Sequence, residues 1–251
     1  MMLPSGNDAA TALAEFFGQL LLDKSQSAED SEACFEPEEN LQTEIQVLSI
    51  NQIRSRQPFL ARGSQYPEDS PIAFFLQEMN KNCIRLGLRS SFFDNPHGLM
   101  NHNSKSTAFD IAKLANFALA DPRFKKVVRC KYFELPKMPS EGRSRTYKWE
   151  NTNKLLENPN VEGVKTGITQ SAGPCLCTAI NAKELRVIVV LLCSKSMDIR
   201  FSETIKLQKW AIKRMQTIRQ FQMEVSRGQP SFSPEFLEST HSRLLKRLKH
   251  L

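Results

Sequence analysis

Apolar positions fall into two rhythms along this chain, one of three to four residues and one of two, separated by stretches with neither. After Ser5-Gly6-Asn7-Asp8, the residues Ala9, Ala10, Ala12, Leu13, Ala14, Phe16 and Phe17 predict a small-residue helix over about 7–22, started by a polar loop that takes the free amides of its first turn. Ile72, Phe75, Leu76, Met79, Cys83 and Leu86 lie three or four apart and predict a second helix from Pro71, ended by Gly87. The segment RSSFFDNPHGLMNHNSKST is too rich in Asn, Pro, Gly and Ser for either rhythm and reads as an irregular ordered loop. Ser106 or Thr107 then caps a helix bearing Ile111, Leu114, Ala115, Phe117, Ala118 and Leu119, stopped by Asp121-Pro122. Residues 124–135 alternate loosely, as a short strand or extended arm does. Three runs, 163–166, 174–180 and 185–193, read as strands of one antiparallel sheet, with 181–184 as the hairpin between the last two. A long amphipathic helix over 201–223 follows, with Ile205, Leu207, Trp210, Ala211 and Met215 as its expected buried side.

Between these elements, residues 23–69 carry neither rhythm. Seven acidic residues lie between Glu29 and Glu44 with no basic partner, which predicts a disordered acidic insertion. Residues 1–225 therefore form one domain interrupted at 23–69, and 226–251 form a basic tail. The formal charge of +7 is carried by the part beyond residue 199. That tail has no aromatic interleaving and no readout motif, so no nucleic acid partner is expected, only a weak contact with acidic surfaces. At 251 residues and 40% hydrophobic content the chain can bury one ordinary core. Its six cysteines are scattered, several inside apolar runs, and read as buried free thiols rather than a disulfide framework. With four histidines and none beside Cys175 or Cys177, neither a metal nor another cofactor is expected. The sequence shows no signal-peptide pattern and no run of about 20 apolar residues.

Three short motifs carry chemistry: Ser5-Gly6-Asn7, Asn95-Pro96-His97-Gly98-Leu99, and Lys165-Thr166-Gly167 at the edge of the first expected strand. A Ser-x-Asn loop and a Lys-Thr-Gly strand are two of the three elements of penicillin-interacting serine enzymes, the third being Ser-x-x-Lys. With LPSGNDAATALAE, FLQEMNKNCIRLGLRSSFFDNPHGL, STAFDIAKLANFAL, WENTNKLLENPNVEGVKTGITQSAG and CLCTAINAKELRVIVVLL in order, the chain resembles the low-molecular-mass penicillin-binding proteins, the serine-type D-alanyl-D-alanine carboxypeptidases. The resemblance implies an α/β (α+β) fold of the β-lactamase/transpeptidase-like class, an antiparallel sheet flanked by helices. It also implies an exported enzyme that removes the terminal D-alanine of peptidoglycan stem peptides through an acyl-enzyme and binds β-lactams.

Carried over by residue, the resemblance makes Ser5 a proton-relaying hydroxyl and Asn7 the group that orders the base and touches a substrate amide. Lys165 becomes the positive charge beside both. Thr166 would lie near the substrate carboxylate, the Ile168 amide would form half of the oxyanion hole, and Gly167 and Thr169 would complete the substrate-binding edge. Asn95, His97 and Gly98 would fix a loop beside the site, with His97 structural rather than a base. His102 is likewise read as structural, Asp110 as a helix-start carboxylate, and the phenylalanines as core.

The departure from the family is that no lysine in the sequence has Ser or Thr three positions before it. The expectation is an N-terminally truncated domain, missing the helix with the nucleophile and its base and therefore short of core. It reads as a fragment of a longer product rather than a truncated pseudoenzyme, inactive alone. A non-catalytic binding or scaffold protein of the same fold is the alternative.

Overall fold

In the computed structural model the described residues are 1–31, 60, 64–136, 146–182 and 185–227. Most of the expected acidic insertion and nearly all of the basic tail fall outside them.

The elements run α1 (Asn7–Ser31), α2 (Pro71–Arg85), α3 (Ala108–Ala118), α4 (Pro122–Arg129), β1 (Tyr132–Pro136), β2 (Thr146–Glu150), a 3₁₀ turn (Lys154–Glu157), β3 (Val161–Thr169), β4 (Gly173–Ala182), β5 (Leu185–Leu191) and α5 (Met197–Ser226). Among the described residues the strands form two antiparallel sheets, a β1–β2 ribbon and a three-stranded sheet in the order β3-β4-β5.

Local chemistry sets most boundaries. Ser70 caps α2 by accepting the Ala73 amide, with Pro71 in the first turn, and Gly87 ends it at φ +66, a conformation glycine adopts without Cβ strain. Thr107 caps α3 through the Asp110 amide. Asp121 caps α4 through the Arg123 amide, and hydrogen bonds from the Arg123 side chain and backbone hold its carboxyl down at about 2.

Three expectations need correction. Helix α1 does not stop near residue 22 but continues into the expected insertion as far as Ser31, stitched by hydrogen bonds such as Gln19 to Asp23 and Ser25 to the Leu22 carbonyl. The short strand expected within 124–135 is present from Tyr132, but 124–129 belong to helix α4, because Pro122 behind an Asp cap nucleates a turn that loose alternation does not reveal. The buried side of α5 is Arg200, Phe201, Thr204 and Gln208, whereas Ile205, Leu207, Met215 and Trp210, the last 59% exposed, face outward. On that side Arg200 bonds strand carbonyls, and Thr204 turns its hydroxyl back onto the Arg200 carbonyl 2.7 Å away.

The main core lies between one face of the sheet and α3 and α4: Ala115, Leu119, Val128, Val164, Cys177 and Ala179, flanked by Ile111, Ile188 and Val190. Helix α5 covers the opposite face. A smaller core, Ala14, Ile72 and Leu76, joins α1 to α2. The described cysteines are free, with Cys83 and Cys177 buried and Cys193 exposed. The phenylalanines are not uniformly core: Phe16 and Phe17 on α1, Phe109 and Phe117 on α3 and Phe133 on β1 are all exposed.

Candidate active site

Ser5 sits in the turn that leads into α1, in the left-handed region at φ +60, with the Gly6 amide bonded to the Met1 carbonyl 3.2 Å away. A serine held there is mildly strained, and such strain persists only where surrounding contacts fix it. One of those contacts is Lys165 on β3, whose ammonium donates to Ser5 Oγ across 160 positions of sequence and to the Thr166 carbonyl at 2.6 Å. Burial first, and the neighbouring Arg200 charge second, lower the Lys165 pKa.

Thr152 ties the two halves of this arrangement together. Its amide donates to the Leu3 carbonyl at 3.3 Å, and its hydroxyl lies 2.5 Å from that of Thr166, which is buried on β3. The loop before Ser5 is thereby fixed to the strand that carries Lys165.

Arg200, at the start of α5, is buried to 4% exposure. Its Nη1 donates to the carbonyls of Gly167 and Cys175, each at 3.2 Å, and its guanidinium stacks 4.8 Å from the Phe201 ring centroid. It pins the ends of β3 and β4 together and places a second positive charge behind Lys165. Neither Thr152 nor Arg200 stands out in the sequence. Thr152 belongs to no short motif, and Arg200 counts there as one basic residue among many in the C-terminal part.

The facing wall is the loop after β-bridge residue Phe92. Asn95, itself buried, clamps it: its Oδ1 accepts from the Gly98 amide at 2.7 Å and its Nδ2 donates to the Leu99 carbonyl at 2.8 Å. His97 Nδ1 accepts from the Leu99 amide at 3.1 Å, and burial lowers its pKa, so the ring serves the loop as a neutral acceptor. His102 is exposed. Asp110 does more than start a helix: buried, it accepts from the Ser90 amide and the Ser91 hydroxyl and anchors the beginning of this loop to α3.

Between these walls opens a cleft of about 1050 Å³. Ser5, Asn7, His97, Gly98 and the whole run Lys165–Thr169 line it, together with Thr152 and Arg200, while Asn95 stands behind the wall. The structure thus gathers Ser5 and Asn7 with Lys165, Thr166, Gly167, Ile168 and Thr169. The Thr169 hydroxyl is occupied, accepting the Ala172 amide in the β3–β4 turn at 3.0 Å. Among the described residues no group of three His, Cys, Asp or Glu could hold a metal, and no helix is long and apolar enough to cross a membrane.

The chemistry of the cleft is that of a desolvated ammonium against a hydroxyl, beside a strand edge and a second cation. Such a pair can pass a proton and attract an anion.

Comparison with known proteins agrees with this geometry. The chain is 28% identical to a D-alanyl-D-alanine carboxypeptidase of Streptomyces sp. strain K15 over 212 residues, covering 84% of this chain and 57% of that one. It is 33% identical to Escherichia coli D-alanyl-D-alanine carboxypeptidase DacC over 145 residues, 57% of this chain and 34% of that one. The crystal structure of the Streptomyces K15 DD-transpeptidase superimposes with a TM-score of 0.54 at 31% identity, over 60% of this chain and 58% of that one. The chain therefore spans just over half the length of the Streptomyces protein and about a third of the E. coli one. A sequence model of the D-alanyl-D-alanine carboxypeptidase family matches residues 72–196, which hold the His97 loop, β3 with Lys165-Thr166-Gly167, and the rest of the sheet. Across that stretch, on a β-lactamase/transpeptidase-like fold of antiparallel strands flanked by helices, the chain matches the D-alanyl-D-alanine carboxypeptidase family.

Proposed function

We propose that the cleft holds the C-terminal end of a D-alanyl-D-alanine peptide and that this sequence, as it stands, binds such a peptide without cleaving it. The observation that carries the reading is the contact of Lys165 Nζ with Ser5 Oγ beside Thr166, at the mouth of the cleft. Lys165 and Arg200 supply positive charge for a terminal carboxylate. The β3 edge from Thr166 to Thr169, outermost in its sheet, offers backbone groups along which an extended peptide can lie. Ser5 and Lys165 form the proton relay, and Asn7 offers an amide to the peptide backbone.

Turnover needs more. Acyl transfer requires a nucleophile with an adjacent base and two fixed donors aimed at the developing oxyanion. The described hydroxyls that line the cleft are Ser5, Thr152, Thr166 and Thr169. Of these, Thr152 and Thr166 bond each other and Thr169 holds a turn, which leaves Ser5 with its lysine in the relay position. The Ser-x-x-Lys pair that would attack is not in the sequence.

Intact-mass spectrometry after incubation with a labelled penicillin, together with NMR titration of a D-alanyl-D-alanine tripeptide, tests both halves. The expected result is saturable shifts at the amides of residues 165–169 and no covalent adduct. A stoichiometric adduct lost in Ser5→Ala would make Ser5 the nucleophile and overturn the relay role. Absence of tripeptide binding would remove the cleft as a peptide site.

A further inference from the structure

The β1–β2 ribbon projects beside the cleft with every residue of β1 exposed and no third strand among the described residues. An isolated two-stranded ribbon is marginally stable in water. Its register sorts the side chains by face. Glu134 lies opposite Lys148 and Tyr132 opposite Glu150, while on the other face Phe133 lies opposite Trp149 and Leu135 opposite Tyr147.

The first face satisfies itself. Lys148 lies 3.8 Å from Glu134 and 3.5 Å from Glu150, with its ammonium 5.4 Å from the Tyr132 ring centroid. The second face bears no charge. There the Trp149 ring lies 6.1 Å from Phe133 at 21° and 5.8 Å from Tyr147 at 12°, so three ring planes run nearly parallel. Phe133 is 52% exposed and Tyr147 45%.

Two features restrict what such a surface takes. It is neutral, which disfavours nucleic acid and anionic lipid, and flat parallel rings with a phenol among them suit a ligand that is apolar on its faces and hydroxylated at its rim. That is the form of a pyranose ring, whose C–H faces stack on aromatic rings while its hydroxyls stay in water or bond a polar tip. The ribbon is also continuous with the cleft, since β2 runs from Trp149 directly into Glu150, Asn151 and Thr152, which line it. A ligand on the ribbon therefore lies next to whatever fills the cleft.

We infer that the Phe133, Tyr147 and Trp149 face binds a β-1,4-linked N-acetylhexosamine chain, the glycan from which a peptidoglycan stem peptide hangs. The inference rests on the peptide reading of the cleft for its biological sense, but the binding itself is tested without any peptide. The probe is chitotetraose, the tetramer of N-acetylglucosamine, added to the full chain carrying Trp210→Phe, so that of the two tryptophans only Trp149 reports.

The expected result is a saturable change in Trp149 emission, weakened about tenfold by Tyr147→Ser and by Phe133→Ser. Saturation-transfer NMR on the sugar repeats the measurement with Trp149→Phe and Trp149→Ser, so that a single misfolded variant does not decide it. Four outcomes overturn the inference: no saturable change, a change indifferent to Tyr147 and Phe133, a change reproduced by raising the protein concentration alone, or one produced by phosphatidylcholine vesicles and not by sugar. Loss of tripeptide binding with sugar binding intact would count against the cleft reading alone.

Discussion

Glu162 joins three elements through one side chain. Buried on β3, its carboxylate lies 2.6 Å from Lys125 Nζ on α4 and 2.9 Å from Arg186 Nε on β5. Burial alone would raise its pKa, but the hydrogen bonds and charges of Lys125 and Arg186 outweigh that and hold it below the ordinary 4.5. A carboxylate depressed in the folded state stabilises fully above its unfolded value, and that stability is lost as pH falls through the folded value. Urea midpoints measured from pH 7 downward should therefore fall more steeply below pH 4.5 for the native chain than for Glu162→Gln. Glu162→Ala should cost about 3 kcal/mol at pH 7, near the low end for a broken buried pair because both cations reach solvent. A pH profile for Glu162→Gln that parallels the native one would show that the carboxylate does not hold these elements together. Nothing in the sequence singled out Glu162, since its partners lie 37 positions before it and 24 after it. By contrast Lys165, Thr166 and Gly167 stand together in a motif and were legible at once.

At the scale of elements, the contact of α1 with α2 depends on one missing methyl group. A Cβ built on Gly18 would lie 1.8 Å from the Pro71 carbonyl oxygen, an atom of the α2 backbone that cannot rotate away. Gly18→Ala must push the helices apart and disturb the small core of Ala14, Ile72 and Leu76. Forced overpacking of this kind typically costs about 1–3 kcal/mol, so the variant should lose that much in chemical denaturation, whereas Gly98→Ala, with nothing within 4 Å of its built Cβ, meets only its own positive φ. Unchanged stability in Gly18→Ala would mean that the α1–α2 approach is looser than it stands. The elements themselves followed from the sequence where caps and periodicity agreed, as at Ser70-Pro71 and Thr107. They did not where periodicity named an apolar stripe without its partner, as in α5, whose Trp210 face is as regular as the Thr204 face that the sheet covers.

At the scale of the molecule, apolar surface remains open. Leu13, Phe16, Phe17 and Leu20 share the exposed side of α1, with Phe16 60% exposed, and β5 pairs with β4 alone among the described residues. Open apolar faces and unpaired strand edges promote association. The double variant Phe16→Ser, Phe17→Ser should therefore leave unfolding free energy within about 1 kcal/mol of the native chain, as exposed positions do, while reducing concentration-dependent association in sedimentation velocity. A large loss of stability in that variant would mean that the face is covered within the chain.

The sequence by itself determined the family-bearing motifs, the order of most helices and strands, and the antiparallel pairing of β3, β4 and β5, because each of these depends on residues close together in the chain or on local periodicity. Only the tertiary structure decided that Thr152 and Arg200 belong to the cleft, which face of α5 is buried, that Glu162 bridges α4 to β5, and that the aromatic side of the β1–β2 ribbon faces water. Those outcomes depend on contacts between groups tens to more than a hundred positions apart, and on which surfaces find a neighbour, neither of which leaves a periodic trace in the chain.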